Sequence, residues 1–527
     1  MYGTVRTVVW EDGGRKAPSY PRRLAAGVGA GGYCPARGAR PRQGVPRRHG
    51  PGVAGSEAAR VMAMALIKSV SGVRGIVDPA CGQEVTLTAE LAGALGRAFA
   101  TCLRRRLGRS VRLIGTRDGR PSGQRLLEAF ARGASVSGAE VVPLGVVTTP
   151  GTALGVAELS REFGVAGGVV VTASHNPQEW NGIKLLWEGG RAPTVEEASA
   201  VFALLDAGDF DEVPAGEMPA VPVLPDIHEL HVERVLALVD VEAIRGRAFR
   251  VVLDSVNGAG GAAGLLLLER LGCTVEHVNA DPAAGFPRNP EPTAANLAEF
   301  CTVVAGANAG VGFAQDPDAD RLAIVDETGR YIGEEYTLAL AAQQVFGARP
   351  GPAVANLSTS RMIDDLAATA GSPCTVHRSA VGEANVVEVM RQTSAHIGGE
   401  GNGGVIDPRV VLVRDSLVGM ALVLQLLAEE GRPLSRIVDR IPRYTIIKQK
   451  FAADRERIGR VLEAVRHEFA RERINAVDGV RIDWEAGWVH VRGSNTEPIM
   501  RVIAEARDEA AAQELIGRVR AVADRVA

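Results

Sequence analysis

The sequence is short of cysteine and of aromatic residues, has no long apolar run, and leans toward neither sign of charge. Its six cysteines (Cys34, Cys81, Cys102, Cys273, Cys301 and Cys374) are scattered and never form a CxxC pair. That argues against a disulfide framework and a zinc module, and suits a reducing cytoplasm. A formal charge of −3 over 527 residues exerts no global pull toward nucleic acid or a membrane surface. The longest apolar stretch, Leu417 to Ala428, is interrupted by Gln425 and is too short to span a bilayer. What remains is ordinary: 46% hydrophobic and 23% charged residues mark a globular chain, and its length predicts three to five domains.

The near-neutral total hides an asymmetry. Residues 1–60 hold eleven Lys and Arg against Glu11, Asp12 and Glu57, a net of +8, which leaves −11 for the rest. The same segment carries 12 Gly and 6 Pro without apolar periodicity, so it is expected to pack no core. No apolar run follows its arginines, as a secretory signal would need, and its few aromatics give little support to a nucleic-acid arm. Residues 1–63 therefore read as a disordered basic extension or as a start placed upstream of Met62 or Met64.

From Ala65 onward the pattern changes. Short β-branched runs such as Val111–Gly115 and Gly168–Thr172 alternate with helix-like stretches such as Glu90–Leu103 and Gln124–Ser137. This predicts mostly parallel sheets covered by helices. After a Pro-rich linker near Glu212–Asp226 the pattern restarts with Arg250–Asp254, the helix Ala262–Leu271 and the strand Thr274–Val278. A third cycle runs from Tyr336 through Val354–Leu357 to the helix Ser416–Glu430. The last 85 residues read as helix, three strands and helix, a smaller α+β domain with an antiparallel sheet.

Four loops carry chemistry. Thr172-Ala-Ser-His-Asn-Pro177 follows an apolar strand, where open α/β sheets place ligands, and Asn176-Pro177 forces a turn that exposes Ser174. Ser174 beside His175 could be a nucleophile with its base, although the GxSxG elbow is absent. Lys184, close behind, can return a cation to the same mouth. In Asp316-Pro-Asp-Ala-Asp-Arg321, three carboxylates at alternate positions are costly unless a hard cation neutralises them. An EF-hand is excluded, because Arg321 stands where glycine is required and strands flank the loop. The expectation is Mg2+ beside a phosphate.

Gly398-Gly-Glu-Gly-Asn-Gly-Gly404 leaves its backbone open to close approach and projects only Glu400 and Asn402, which suits vicinal hydroxyls; a flexible linker has similar composition. Arg492-Gly-Ser-Asn-Thr-Glu-Pro498 combines a guanidinium, two hydroxyls and an amide into a phosphate cradle, with Arg501 two residues into the next strand. An exposed polar hairpin loop would look alike. Finally, Gly258–Ala263 fits the G-x-G-x-x-A dinucleotide fingerprint, so a nicotinamide-dependent oxidoreductase stands as the distant alternative; nothing else supplies a hydride-transfer site.

Taken together, and in this order, the four loops resemble those of the α-D-phosphohexomutase superfamily over essentially Leu66 to Ala527. The resemblance implies an α/β fold of three similar mixed α/β sandwich domains (64–218, 219–334 and 335–441) and a C-terminal α+β domain (442–527), heart-shaped around a central cleft. It implies that Ser174 is the phosphoserine and a metal ligand, and that Asp316, Asp318 and Asp320 hold Mg2+. It further implies that Glu400 reads the sugar, and that Arg492, Ser494, Asn495 and Thr496 grip the substrate phosphate. Gly72-Val-Arg-Gly75 matches the first loop of the family and places Arg74 near the phosphoserine; Thr116-Arg-Asp-Gly-Arg-Pro-Ser122 matches a neighbouring segment taken as scaffolding. Arg74, Lys184 and Arg321 would stabilise the transferring group, with His175 or Lys184 as general acid/base. The common E-x-S-G-H pattern is replaced here by Glu400-Gly-Asn402-Gly-Gly404, which looks most like archaeal-type phosphoglucosamine mutases, with phosphomannomutase/phosphoglucomutase as the alternative. The expected partner is a sugar phosphate, with no nucleic acid and no membrane, for a cytoplasmic monomer or homodimer.

Overall fold

Every residue of the strand Val165–Val171 is buried, the mark of a strand flanked on both sides within a sheet covered on both faces. It belongs to the first of four sheets in a computed structural model that describes residues 6–9, 66–78, 84–213, 224–494 and 499–526. That sheet runs in the order Ile67–Ser69, Gly72–Ile76, Trp180–Leu186, Val165–Val171, Val111–Arg117, Ala139–Val146. Its last three strands are mutually parallel, and Trp180–Leu186 pairs antiparallel with Val165–Val171.

The second sheet repeats this arrangement with Leu322–Asp326, Val311–Gln315, Arg250–Asp254 and Thr274–Val278, and the third with Gly404–Ile406, Ile397–Glu400, Pro352–Asn356 and Thr375–Ser379. Each has two parallel pairings and one antiparallel pairing in the same places. In all three sheets the turn into the antiparallel strand is one of the chemical loops: Thr172–Pro177, Asp316–Arg321 or Gly401–Gly403. One topological position is thus used three times, although no strict sequence repeat is visible.

The stretch read as the longest apolar run is the helix Ser416–Glu430, buried at twelve positions and therefore a core helix apolar on all sides. Asp415 caps its N-terminus, its side chain accepting from Leu417 N, and Gly431 at φ 63° ends it in the left-handed conformation. The helix packs in one apolar cluster with Thr149–Phe163, Ile227–Leu236, Gly260–Arg270 and Glu335–Ala348, joining the first three sheets through a common core. No helix among the described residues is long and apolar enough to cross a membrane.

The fourth sheet is antiparallel through Thr445–Ala452, Ile499–Ala506, Gly487–Gly493, Val480–Asp483 and Arg473–Asn475, covered by Arg455–Glu468 and Glu509–Ala523. Arg6–Val9 pairs parallel with the edge strand Thr445–Ala452, and the rest of the segment 1–63 read as a basic extension lies outside the described residues. Met62 and Met64 lie outside the described residues.

The dinucleotide-like turn serves packing instead. A Cβ on Gly258 would fall 2.5 Å from Pro317 O, and Ala259 N donates to that same carbonyl at 2.7 Å. The small residues let the strand–helix turn lie directly under the acidic loop.

Candidate active site

Ser174 sits in the left-handed region at φ 50°, a conformation a serine holds only when its surroundings impose it. Arg120 supplies that constraint. Fully buried, it donates through Nη2 to the carbonyls of Ser174 (2.7 Å) and Asn176 (2.6 Å), and through Nη1 to those of Pro177 (2.6 Å) and Trp180 (2.8 Å). Asp118 Oδ2 holds Arg120 Nε at 3.1 Å and also accepts from Thr172 Oγ1 at 2.6 Å. The segment expected to be scaffolding is therefore the mould of the serine loop. Nothing in the spacing of Thr116–Ser122 signals that one arginine gathers four carbonyls, because those carbonyls come from a loop more than fifty residues away.

The serine hydroxyl points at the acidic loop. Ser174 Oγ donates to Asp316 Oδ2 at 2.8 Å, whereas His175 Nδ1 is 3.4 Å away. One carboxylate oxygen from each of Asp316, Asp318 and Asp320 lies within 4.8 Å of the others, and all three residues are buried. Asp318 Oδ1 and Asp320 Oδ1 are buried and accept no hydrogen bond, so the donor set fits a hard cation. Lys184 Nζ donates to Asp318 Oδ2 (2.6 Å) and lies 3.3 Å from Asp320 Oδ2, and Thr149 Oγ1 also donates to Asp318 Oδ2 (2.6 Å).

The charges sort themselves by environment. Burial, reinforced by Asp320 and Asp318, pushes the Asp316 carboxyl well above the usual range. For Asp320 burial is outweighed by Arg414, Lys184 and Arg321, which hold its carboxyl far below it. Burial alone would lower Lys184, but Asp318 and Asp320 raise it, so it stays an ammonium. His175 is driven well below an ordinary histidine by burial, then by Arg321 and Arg74, and is neutral at neutral pH. Arg74 reaches the serine loop through Asn176 Oδ1 at 3.2 Å, and Arg321 N donates to Asp316 Oδ1 at 3.1 Å.

The glycine-rich loop is a tight hairpin, not a linker. Glu400 Oε1 accepts from Asn356 Nδ2 (2.7 Å) and Gly382 N (3.1 Å), while Asn402 Oδ1 is buried and accepts nothing. Its glycines are needed chiefly for packing: a Cβ on Gly401 would lie 2.0 Å from Glu335 Oε2. Arg414, which sequence reading missed, donates to Glu400 Oε2 at 2.7 Å and to Asp320 Oδ2 at 2.6 Å. Its only sequence signal is a position just before a helix-capping aspartate.

In the fourth domain Arg492 and Arg501 are cross-strand partners, and Arg492 Nε lies 3.1 Å from Asp478 Oδ2. Asp478 Oδ2 also accepts from Val381 N at 3.0 Å, beside the Gly382 amide that binds Glu400. Ser494 N donates to Ile499 O at 2.9 Å, while Asn495 and Thr496 lie outside the described residues.

Four family models match the chain in order: the phosphoglucomutase/phosphomannomutase alpha/beta/alpha domains I, II and III over residues 66–212, 229–329 and 333–444, and the C-terminal domain over 447–522. The chain belongs to the phosphoglucomutase/phosphomannomutase family. It is thus a phosphohexomutase. Among its relatives is a phosphoglucomutase/phosphomannomutase of Thermococcus kodakarensis, 37% identical over 84% of this chain and 95% of that one. A Methanopyrus kandleri protein named probable phosphoglucosamine mutase is 36% identical over the same shares. The crystal structure of a phosphoglucomutase/phosphomannomutase family protein from Burkholderia thailandensis has a TM-score of 0.74 at 25% identity, covering 87% of this chain and 97% of that one.

In this phosphohexomutase the third and fourth domains meet through a buried histidine. His490 Nδ1 is 2.9 Å from Ser358 Oγ and Nε2 is 2.7 Å from Asp478 O. Burial lowers its pKa to about 4, against about 6.5 for a histidine in the unfolded chain. As pH falls the unfolded state therefore binds the proton first. The stability linked to His490 is intact above about pH 6.5 and is lost progressively toward pH 4, by about 3 kcal/mol at most. Urea unfolding of His490→Gln should show a flatter loss of stability over this window; slopes equal to wild type would refute it.

Proposed function

We propose that the enzyme interconverts glucosamine 6-phosphate and glucosamine 1-phosphate, with Ser174 as the phosphoryl carrier and Mg2+ as the bound metal. The observation that carries the carrier role is the Ser174 Oγ–Asp316 contact of 2.8 Å, which sets a strained, arginine-moulded hydroxyl against the acidic triad. Asp316, Asp318 and Asp320, with an oxygen on Ser174, would hold the metal. When bound, it neutralises charge on the transferring phosphoryl group.

In the forward step the Ser174 O–P bond breaks and a bond forms to the free hydroxyl of the hexose monophosphate, giving a bisphosphate. After the sugar turns over, its other phosphate returns to Ser174. Arg74, Lys184 and Arg321 present fixed positive charge to the transferring group. The hydroxyl proton goes to His175 or Lys184 in this reading: His175 Nδ1 lies 3.4 Å from Ser174 Oγ, and Lys184 Nζ reaches Asp318 Oδ2 at 2.6 Å across the same mouth. The negative charge of a phosphorylated Ser174 would raise the basicity of the His175 imidazole.

Glu400 and Asn402 would read the sugar hydroxyls. Arg492, Ser494, Asn495, Thr496 and Arg501 would hold the phosphate that is not reacting, in either orientation of the sugar, with closure of the fourth domain excluding water. Cys102, Cys273, Cys301 and Cys374 are free thiols, which supports a cytoplasmic setting, and nothing in the mechanism asks for more than a monomer or homodimer. The glucosamine preference rests on the Glu400-Gly-Asn402-Gly-Gly404 form and on relatives named as phosphoglucosamine mutases. Coupled assays with glucosamine, mannose and glucose 1-phosphates should give the highest kcat/KM for glucosamine, by roughly tenfold or more. A higher value for mannose or glucose would assign the phosphomannomutase/phosphoglucomutase alternative.

A further inference from the structure

Arg414 belongs to none of the four chemical loops, yet its guanidinium is shared among three carboxylates. Nη2 donates to Asp320 Oδ2 (2.6 Å), Nη1 to Glu400 Oε2 (2.7 Å) and Nε to Glu383 Oε2 (3.1 Å). Asp320 belongs to the acidic loop of the second sheet; Glu400 is the sugar-facing acid of the third. One cation therefore spans the two half-sites, and it does so with only 11% of its side chain exposed.

The pose is held from the backbone as well. Arg414 N donates to Glu383 Oε2 (3.0 Å), Asp415 N to Val405 O (2.8 Å) and Ser416 N to Ala319 O (3.1 Å). The last of these ties the arginine's own segment to the centre of the acidic loop. The Asp415 side chain caps the core helix through Leu417 N and lies 2.6 Å from His231 Nε2, so the residue after Arg414 is anchored on both of its faces.

Gly404 supplies an independent observation. A Cβ at that position would lie 2.2 Å from Arg414 Cδ and 2.9 Å from its Cγ. The stem of the arginine runs through the space any side chain at position 404 would need. This is the position at which the common E-x-S-G-H pattern carries histidine. A side chain there and Arg414 in this pose exclude one another.

We infer that Arg414 is a positioning residue that locks the acidic loop to the glycine-rich loop, so that Glu400 and the second oxygen of Asp320 are oriented together, and that Gly404 is required to admit it. The inference rests on the proposed roles of Glu400 and the acidic triad. A planar fork serves three carboxylates in fixed directions, which a lysine ammonium on a flexible stem cannot reproduce. A network that merely stabilised the fold would change the unfolding temperature and leave the kinetic constants alone.

The test compares Arg414→Lys, Arg414→Ala, Gly404→Ala, the double variant R414A/G404A and Glu400→Gln. It uses kcat, KM, thermal unfolding and calorimetric binding of glucosamine 6-phosphate without added metal. Arg414→Lys should fold, raise KM and the calorimetric Kd, and lose roughly 10- to 100-fold in kcat/KM, as loss of a supporting contact does at metal and substrate sites. Gly404→Ala should reproduce this loss, and R414A/G404A should be no worse than Arg414→Ala, because both changes act through one side chain. Wild-type kinetic constants in Arg414→Lys, or losses that multiply in the double variant, would overturn the inference. If Arg414→Ala fails to fold, Arg414→Lys and Gly404→Ala still decide it. Glu400→Gln with unchanged KM and Kd would overturn the underlying reading of Glu400 instead, and the inference with it.

Discussion

Ser174→Ala is expected to reduce mutase turnover by at least roughly 10,000-fold while the protein stays folded. The variant deletes one hydroxyl that is 1% exposed and makes one 2.8 Å bond to Asp316. The structural cost is that of a single buried hydrogen bond, about 1 kcal/mol. The loop itself would persist, because the four carbonyls gathered by Arg120 do not depend on the serine side chain. The chemical cost is of another order: without Oγ no hydroxyl of this loop meets the acidic triad to carry the phosphoryl group between the two positions of the sugar, since that of Thr172 is committed to Asp118. Coupled kinetics, circular dichroism and intact-mass measurement separate the two effects, since the wild-type chain should show a phosphoryl adduct that Ser174→Ala lacks. Activity within tenfold of wild type would remove Ser174 from the mechanism.

The parts of the molecule legible in the sequence are those whose cause is local. The strands Arg250–Asp254 and Thr274–Val278 and the helix Ser416–Glu430 stand where their patterns predict, because Gly, Pro or a capping acid bounds each apolar run. Ser174 and the acidic triad were legible because each stands in a six-residue motif whose chemistry is contained in its own loop, Thr172–Pro177 and Asp316–Arg321. Arg120 and Arg414 were not, since the carbonyls Arg120 gathers lie 54 to 60 residues away and the carboxylates of Arg414 lie 14, 31 and 94 residues away, and only the fold brings them together. The glycine-rich loop shows the opposite failure: its composition suggested freedom to approach a ligand, whereas Gly401 and Gly404 are held by Glu335 and by Arg414. The threefold repeat was legible as three cycles of strand and helix signals but not as a repeat of residues, because what recurs is strand order, which each domain meets with different side chains. Arg6–Val9 was not legible because four residues carry no period that can be read.

Removing divalent metal should abolish activity just as completely, and added Mg2+ should restore it. Three buried carboxylates face one point, and the protein supplies cations to only part of them. Arg414 and Lys184 take up Asp320 Oδ2 and Asp318 Oδ2, and Arg321 Nε lies 3.8 Å from Asp320 Oδ1, yet Asp318 Oδ1 and Asp320 Oδ1 accept no hydrogen bond. Buried oxygens left in this state cost about 1–3 kcal/mol each, more for charged groups, so a ligand that satisfies both is favoured in the folded state alone. Mg2+ at a hundredfold excess over its Kd should therefore add about 2.7 kcal/mol to stability, read as a raised Tm. Asp318→Asn should lose that rise along with roughly 1,000-fold in kcat, because it keeps the shape of the side chain while removing the charge that draws the cation. Treatment with EDTA, followed by back-titration with Mg2+, measures the dependence directly. Activity indifferent to the chelator, together with a Tm unchanged by Mg2+, would leave the triad without its metal and return the transferring phosphoryl group to Arg74, Lys184 and Arg321 alone.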